Sequence, residues 1–139
     1  MSELIFPHRH YPKTRDFILR SCIEIEIINK QNSFRQPCLL DTGADRLIFP
    51  LINLYQLIGF EKKGYVEKTE NEDTYNCACG KDIVCYQYPI KIKIVGFEKT
   101  CEVDVLWTKA EKSFLLPARF LWDEFNIAID EKKTTLIPK

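Results

Sequence analysis

The sequence lacks an excess of charge of either sign. Lys and Arg together number 20, and Asp and Glu together number 20, so the formal net charge is zero. A neutral chain has no global electrostatic attraction to nucleic acid or to an anionic membrane surface. We therefore expect neither nucleic acid nor a membrane as a partner.

Long apolar runs are also missing. No stretch approaches the roughly 18–20 consecutive apolar residues of a membrane-spanning helix. Residues 1–13 carry basic and His side chains without an apolar core, which is not the pattern of a secretory signal. From these two features we expect a cytoplasmic protein.

The chain does have the composition of a folded domain. It has 139 residues, of which 45% are hydrophobic and 29% are charged. This length and balance predict a single domain over residues 1–139. Residues 1–15 are expected to be a flexible or dimer-forming N-terminal segment. The apolar stretches 4–6 and 135–137 are candidates for strands at a dimer interface.

Six cysteines are present, and we expect them to be free thiols because no export route is evident. The spacing of Cys77, Cys79 and Cys85, with Cys101 as a possible fourth ligand, differs from the Cys-x2-Cys pairs of ordinary zinc sites. A cysteine-ligated metal domain is therefore the weakest of the interpretations considered. We expect no metal and no cofactor.

Alternation of apolar and polar residues predicts a mainly β structure. Residues 22–27, 90–94 and 101–106 alternate with period two, as half-buried strands do. The last two stretches are expected to form a hairpin with a turn at 95–99. Pro37 is expected to open a further short strand.

Helical patterns are few. Residues 51–58 fit one or two helical turns, and the polar stretch 61–76 is expected to be an exposed loop or ribbon. A helix is predicted over 118–125, with Leu121, Trp122 and Phe125 on one side. Residues 127–137 are expected to close the fold as a hairpin, and both tryptophans, Trp107 and Trp122, are expected in the core or an interface.

The residues that carry chemistry follow the apolar run 38–40. Asp41 comes at the end of that run, where a strand would hold its carboxylate rigidly. Gly43 is expected to let the backbone turn tightly and to leave room for a second copy of the loop. Thr42 offers a hydroxyl group to a partner loop, and Ala44 is too small to block a bound chain.

The sequence Leu-Asp-Thr-Gly-Ala at 40–44 resembles the signature of the retroviral-type (retropepsin-like) aspartic proteases. A second stretch, 116–125, fits the C-terminal arginine and short helix of that family. The resemblance covers about residues 18–137. It implies an all-β, retropepsin-like acid-protease barrel with one short C-terminal helix. It also implies that Asp45 and Arg119 form an ion pair that braces the active-site loop.

The resemblance further implies an aspartic endopeptidase that acts on an extended peptide or protein. Its chemistry needs two carboxylates that share one proton, one to activate water and the other to polarise the scissile carbonyl group. No second Asp-Thr/Ser-Gly occurs in the chain. The expected enzyme is therefore a symmetric homodimer in which each chain supplies Asp41.

A flap that closes over the substrate is also implied. Its predicted position is a hairpin over 75–86 with Cys79, Gly80 and Lys81 at the tip. The chain departs from the family pattern at Ala118, where the family has Gly, and at Phe120, where it has an acidic or amide residue.

Two other interpretations remain open. The first is a non-catalytic dimerising or peptide-binding module on the same fold. The second is that Asp41 is only a turn residue, since Asp-Thr-Gly suits a tight turn after a strand.

Overall fold

The computed structural model describes residues 2–11, 18–76, 80–110 and 112–139. The strands are β1 Leu4–Pro7, β2 Cys22–Asn29, β3 Asn32–Asp41, β4 Leu47–Pro50, β5 Glu72–Asn76, β6 Asp82–Ile94, β7 Thr100–Thr108, β8 Leu115–Pro117, β9 Phe125–Ile129 and β10 Lys133–Pro138. The helices are α1 Leu51–Ile58, α2 Lys63–Val66 and α3 Ala118–Leu121, with 3-10 turns at Phe60–Lys62 and Thr69–Asn71. Among these described helices, none has the length and apolarity to cross a bilayer.

Six strands close into a barrel. Neighbouring strands follow the order β2-β3-β8-β4-β7-β6, and β6 pairs back onto β2, while β5 lies outside β6. A separate three-stranded sheet has the order β1-β10-β9. The predicted all-β barrel with a short C-terminal helix is confirmed.

The alternating strands supply the core. The inward side chains Ile23, Ile25 and Ile27 are completely buried, and those between them are not. Beside them Phe49 packs against Trp107, with ring centroids 5.3 Å apart. The prediction that Trp107 is a packing residue is therefore confirmed.

Both predicted hairpins form. The turn between β6 and β7 lies at Val95–Lys99, and Gly96 there has φ +92°, a left-handed conformation that favours glycine. In the β9–β10 turn, the Asp130 carboxylate accepts hydrogen bonds from the backbone N–H groups of Lys132 and Lys133 at 2.7 and 2.8 Å.

The prediction of a helix over 118–125 was too long. The helix α3 ends at Leu121, and the chain turns through Trp122 so that the buried Phe125 begins β9. Trp122 is 51% exposed and lies outside the core, with its ring near the Arg119 guanidinium group. Pairing of β9 with β10 therefore overrides the helical spacing of the apolar residues.

Two other local predictions need correction. Pro37 does not open its strand, because β3 begins at Asn32. Since β8 pairs with β3 only at 39–41, one side of β3 is an edge at Pro37, where a missing N–H group is tolerated. The stretch 61–76 contains α2 and β5 as well as turns, and its Val66 is buried.

The N-terminal segment is integrated into the fold over residues 2–11. The strand β1 pairs with β10 of the same chain, so the stretches 4–6 and 135–137 contact each other rather than standing free. Beyond β1, Tyr11 is 1% exposed, and its hydroxyl oxygen accepts a hydrogen bond from the Phe114 N–H at 2.8 Å. Burial raises the pKa of Tyr11 to about 12. Residues 12–15 of the predicted flexible segment lie outside the described residues.

Tyr11→Phe is expected to lower the free energy of unfolding by about 1–3 kcal/mol, because the buried Phe114 N–H loses its acceptor. The matched control is Tyr65→Phe, since Tyr65 is 57% exposed. Urea unfolding of the two variants measures both effects. Equal, small losses in the two variants would show that the Tyr11 hydroxyl group does not anchor the segment.

Candidate active site

Asp41 is the last residue of β3 and is held from both sides. On one side β8 runs parallel to β3, with Asp41 opposite Pro117. On the other side the Leu40 N–H donates to the Ser21 carbonyl oxygen at 3.0 Å. The backbone position of this carboxylate is therefore fixed by strand pairing, as a catalytic group requires.

The loop after Asp41 orients its carboxylate. The Gly43 N–H donates a hydrogen bond to Asp41 Oδ1 at 3.0 Å. Thr42 and Gly43 are exposed, and Ala44 is half-buried. The carboxyl group is thus bound to its own loop and lies at the surface of the chain.

The expected reason for glycine at 43 is only partly right. Gly43 does not have the positive φ seen at Gly80 and Gly96, so its backbone does not require glycine. A Cβ atom there would meet only Asp41 Oδ1, at an ordinary 3.7 Å. Within one chain, neither conformation nor space demands glycine at this position.

A groove of about 380 Å³ opens beside Asp41 and Thr42. Its walls include Leu115 and the exposed apolar pair Ile18 and Leu19, which are 61% and 58% exposed. The sequence analysis missed this pair. Its signal is two adjacent apolar residues immediately before the alternation of β2 begins, outside the pattern that predicts burial.

Asp45 and Arg119 lie together. Arg119 Nη1 is 3.3 Å from Asp45 Oδ1, and the two side chains are 57% and 79% exposed. An ion pair this exposed contributes under about 1 kcal/mol to stability. The contact joins the loop after Asp41 to α3.

The two departures from the family pattern fit the fold. Ala118 is 4% exposed and begins α3 with no positive φ, so its methyl group meets no conformational obstacle. Phe120 is half-buried and packs against the main core. Neither residue disturbs the strand that supports Asp41.

A hairpin lies where the flap was predicted. The strand β5 pairs with the start of β6, and the last pair is Asn76 with Asp82. In the connection, Gly80 has φ +85° and Lys81 is exposed. Cys79 lies outside the described residues.

The cysteines of the described chain are free thiols. Cys38 and Cys85 are fully buried, and burial raises the pKa of both, that of Cys85 to about 11. Cys101 is half-buried. No three Cys, His, Asp or Glu residues of the described ranges lie together in a way that suits a metal ion. Cys77 and Cys79 fall outside those ranges.

Comparison with solved structures places this architecture. The chain is similar to the crystal structure of a retropepsin-like aspartic protease from Rickettsia conorii, with a TM-score of 0.55 and 19% sequence identity. The match covers 97% of this chain and 90% of that chain. The chain has a retropepsin-like fold. No protein-family model matches the sequence, and no curated protein matches it.

Proposed function

We propose that this protein is an aspartic endopeptidase that works as a homodimer, with Asp41 of each chain forming the catalytic pair. One observation carries the proposal. In a retropepsin-like barrel, Asp41 ends a strand that is paired on both sides, its carboxylate is oriented by Gly43, and it borders an open groove.

The chemistry requires two carboxylates that share a proton. Two such groups in close contact do not both ionise easily, so one keeps its proton and the other remains a base. The base removes a proton from water as the water attacks the scissile carbonyl carbon. The protonated carboxyl group donates a hydrogen bond to the carbonyl oxygen, which becomes more electrophilic at carbon.

The second carboxylate is assigned to a second chain. Asp41 is the only Asp of the sequence that is followed by Thr-Gly or Ser-Gly. Gly43 supports the same assignment, because nothing within one chain explains its lack of a side chain. A symmetric partner loop that approaches Gly43 closely would explain it.

An extended peptide is the proposed substrate. Among the described strands, β5 pairs only with β6, so its other edge is open to a peptide that adds as a strand. The hairpin of β5 and β6, with Gly80 and Lys81 near its tip, would act as the flap.

Asp41→Asn is expected to abolish peptide cleavage, because an amide cannot act as the base. The native protein and the variant are incubated with a diverse peptide mixture from acid to neutral pH, and products are identified by mass spectrometry. Unfolding curves of the two proteins serve as the control for folding. Cleavage that persists in Asp41→Asn would refute the proposal, whereas no cleavage by a folded native dimer would favour a non-catalytic binding module.

Gly43→Ala is expected to leave the stability of the single chain within about 0.5 kcal/mol but to weaken dimer formation and cleavage, because its methyl group would occupy the partner's space. The control is Gly64→Ala, since a Cβ atom at Gly64 meets nothing within 4 Å. Sedimentation velocity measures assembly. A Gly43→Ala protein that dimerises and cleaves like the native chain would contradict the proposed close approach of the two loops.

A further inference from the structure

An ion pair connects the active-site loop to the flap hairpin. Arg46 Nη1 lies 3.6 Å from Asp73 Oδ2. Arg46 ends the loop that begins at Asp41 and immediately precedes the buried Leu47 of β4. Asp73 is the second residue of β5. The contact therefore joins the two parts of the candidate site that would have to act together.

The Asp73 carboxylate is held in place before Arg46 reaches it. The Thr74 N–H donates to Asp73 Oδ1 at 2.8 Å, and the Gln87 side chain donates to Oδ2 at 3.1 Å. Gln87 belongs to β6, so these bonds join the two strands of the hairpin. The bonds from Thr74 and Gln87, together with the Arg46 charge, lower the pKa of Asp73. Only the Arg46 side chain has to be ordered when the ion pair forms.

Consecutive residues tie the loop to two different elements. Asp45 contacts Arg119 of α3, whereas Arg46 contacts Asp73 of the flap strand. The loop is thus connected to the helix behind it and to the hairpin beside it. A displacement of the hairpin would break the Arg46 contact before it disturbed the pairing of β3 with β8.

We propose that Arg46 and Asp73 are positioning residues that form a flap latch, which couples the position of the β5–β6 hairpin to the loop that carries Asp41. The inference rests on the proposed function for its role in substrate binding. The latch itself is a property of the fold and is measurable without activity. Because the latch holds the hairpin and does not touch the reacting atoms, its loss affects KM and leaves kcat unchanged.

The effect is expected to be modest and sensitive to salt. The two side chains are 43% and 35% exposed, so solvent screens their attraction. Ion pairs of this exposure change an equilibrium by about two- to five-fold.

Hydrogen exchange at the amide groups of residues 72–76 tests the latch in the full chain. Arg46→Gln and Asp73→Asn are each expected to accelerate exchange there by about two- to five-fold at low salt. The double variant should exchange no faster than the faster single variant, because both substitutions remove the same contact. Arg46→Lys keeps the charge and should stay close to the native rate.

The control is Lys99→Gln, which removes a comparably exposed ion pair with Glu124, away from the hairpin. It should leave exchange at residues 72–76 unchanged. Additive effects of the two latch substitutions, an equal effect of Lys99→Gln, or no effect at all would overturn the latch.

Kinetics add a second readout where the native protein cleaves peptides. Arg46→Gln should raise KM by about two- to five-fold with kcat unchanged, and Arg46→Lys should restore the native KM. A fall in kcat without a change in KM would overturn the positioning role. The absence of cleavage by the native chain would refute the proposed function, and the exchange measurement would still decide the latch.

Discussion

The pairing of β3 with two neighbours is the constraint on which the rest of the site depends. Asp41 stands where β3 ends, between the residues before β2 and the parallel strand β8. These contacts fix the backbone of a residue that is itself near the surface. The buried Tyr11 hydroxyl group supports the same place, since its partner, the Phe114 N–H, comes immediately before β8. Core packing and one N-terminal anchor thus hold a carboxylate that only part of the chain surrounds.

The loop that follows is short and densely connected. Gly43 orients the carboxylate, Asp45 reaches α3, and Arg46 reaches the flap strand. Each of these contacts is weak by itself because the groups are exposed. Together they give the loop a defined position between two elements and leave its outer face free. An open face beside an oriented carboxylate suits an assembly in which a second chain completes the site.

The sequence predicted the features that leave a local pattern. The alternation in 22–27 and 90–94 reports burial of one strand face, and the structure confirms both strands. The extent of α3 was not predictable in this way. Trp122 and Phe125 have equal claim to a buried helix face, and the pairing of β9 with β10 alone decides that Phe125 is buried. The contact of Arg46 with Asp73 leaves no local signal either, because it depends on how the barrel brings the loop and the hairpin together.

The central claim is that two copies of Asp41 form one catalytic site, and mixed dimers test it most directly. Native and Asp41→Asn chains are unfolded together, refolded at several ratios, and assayed for peptide cleavage. If both carboxylates are needed, activity follows the square of the native fraction, so an equal mixture retains about one quarter of the native activity. Activity proportional to the native fraction, about one half in the equal mixture, would show that each chain acts alone and would contradict the account.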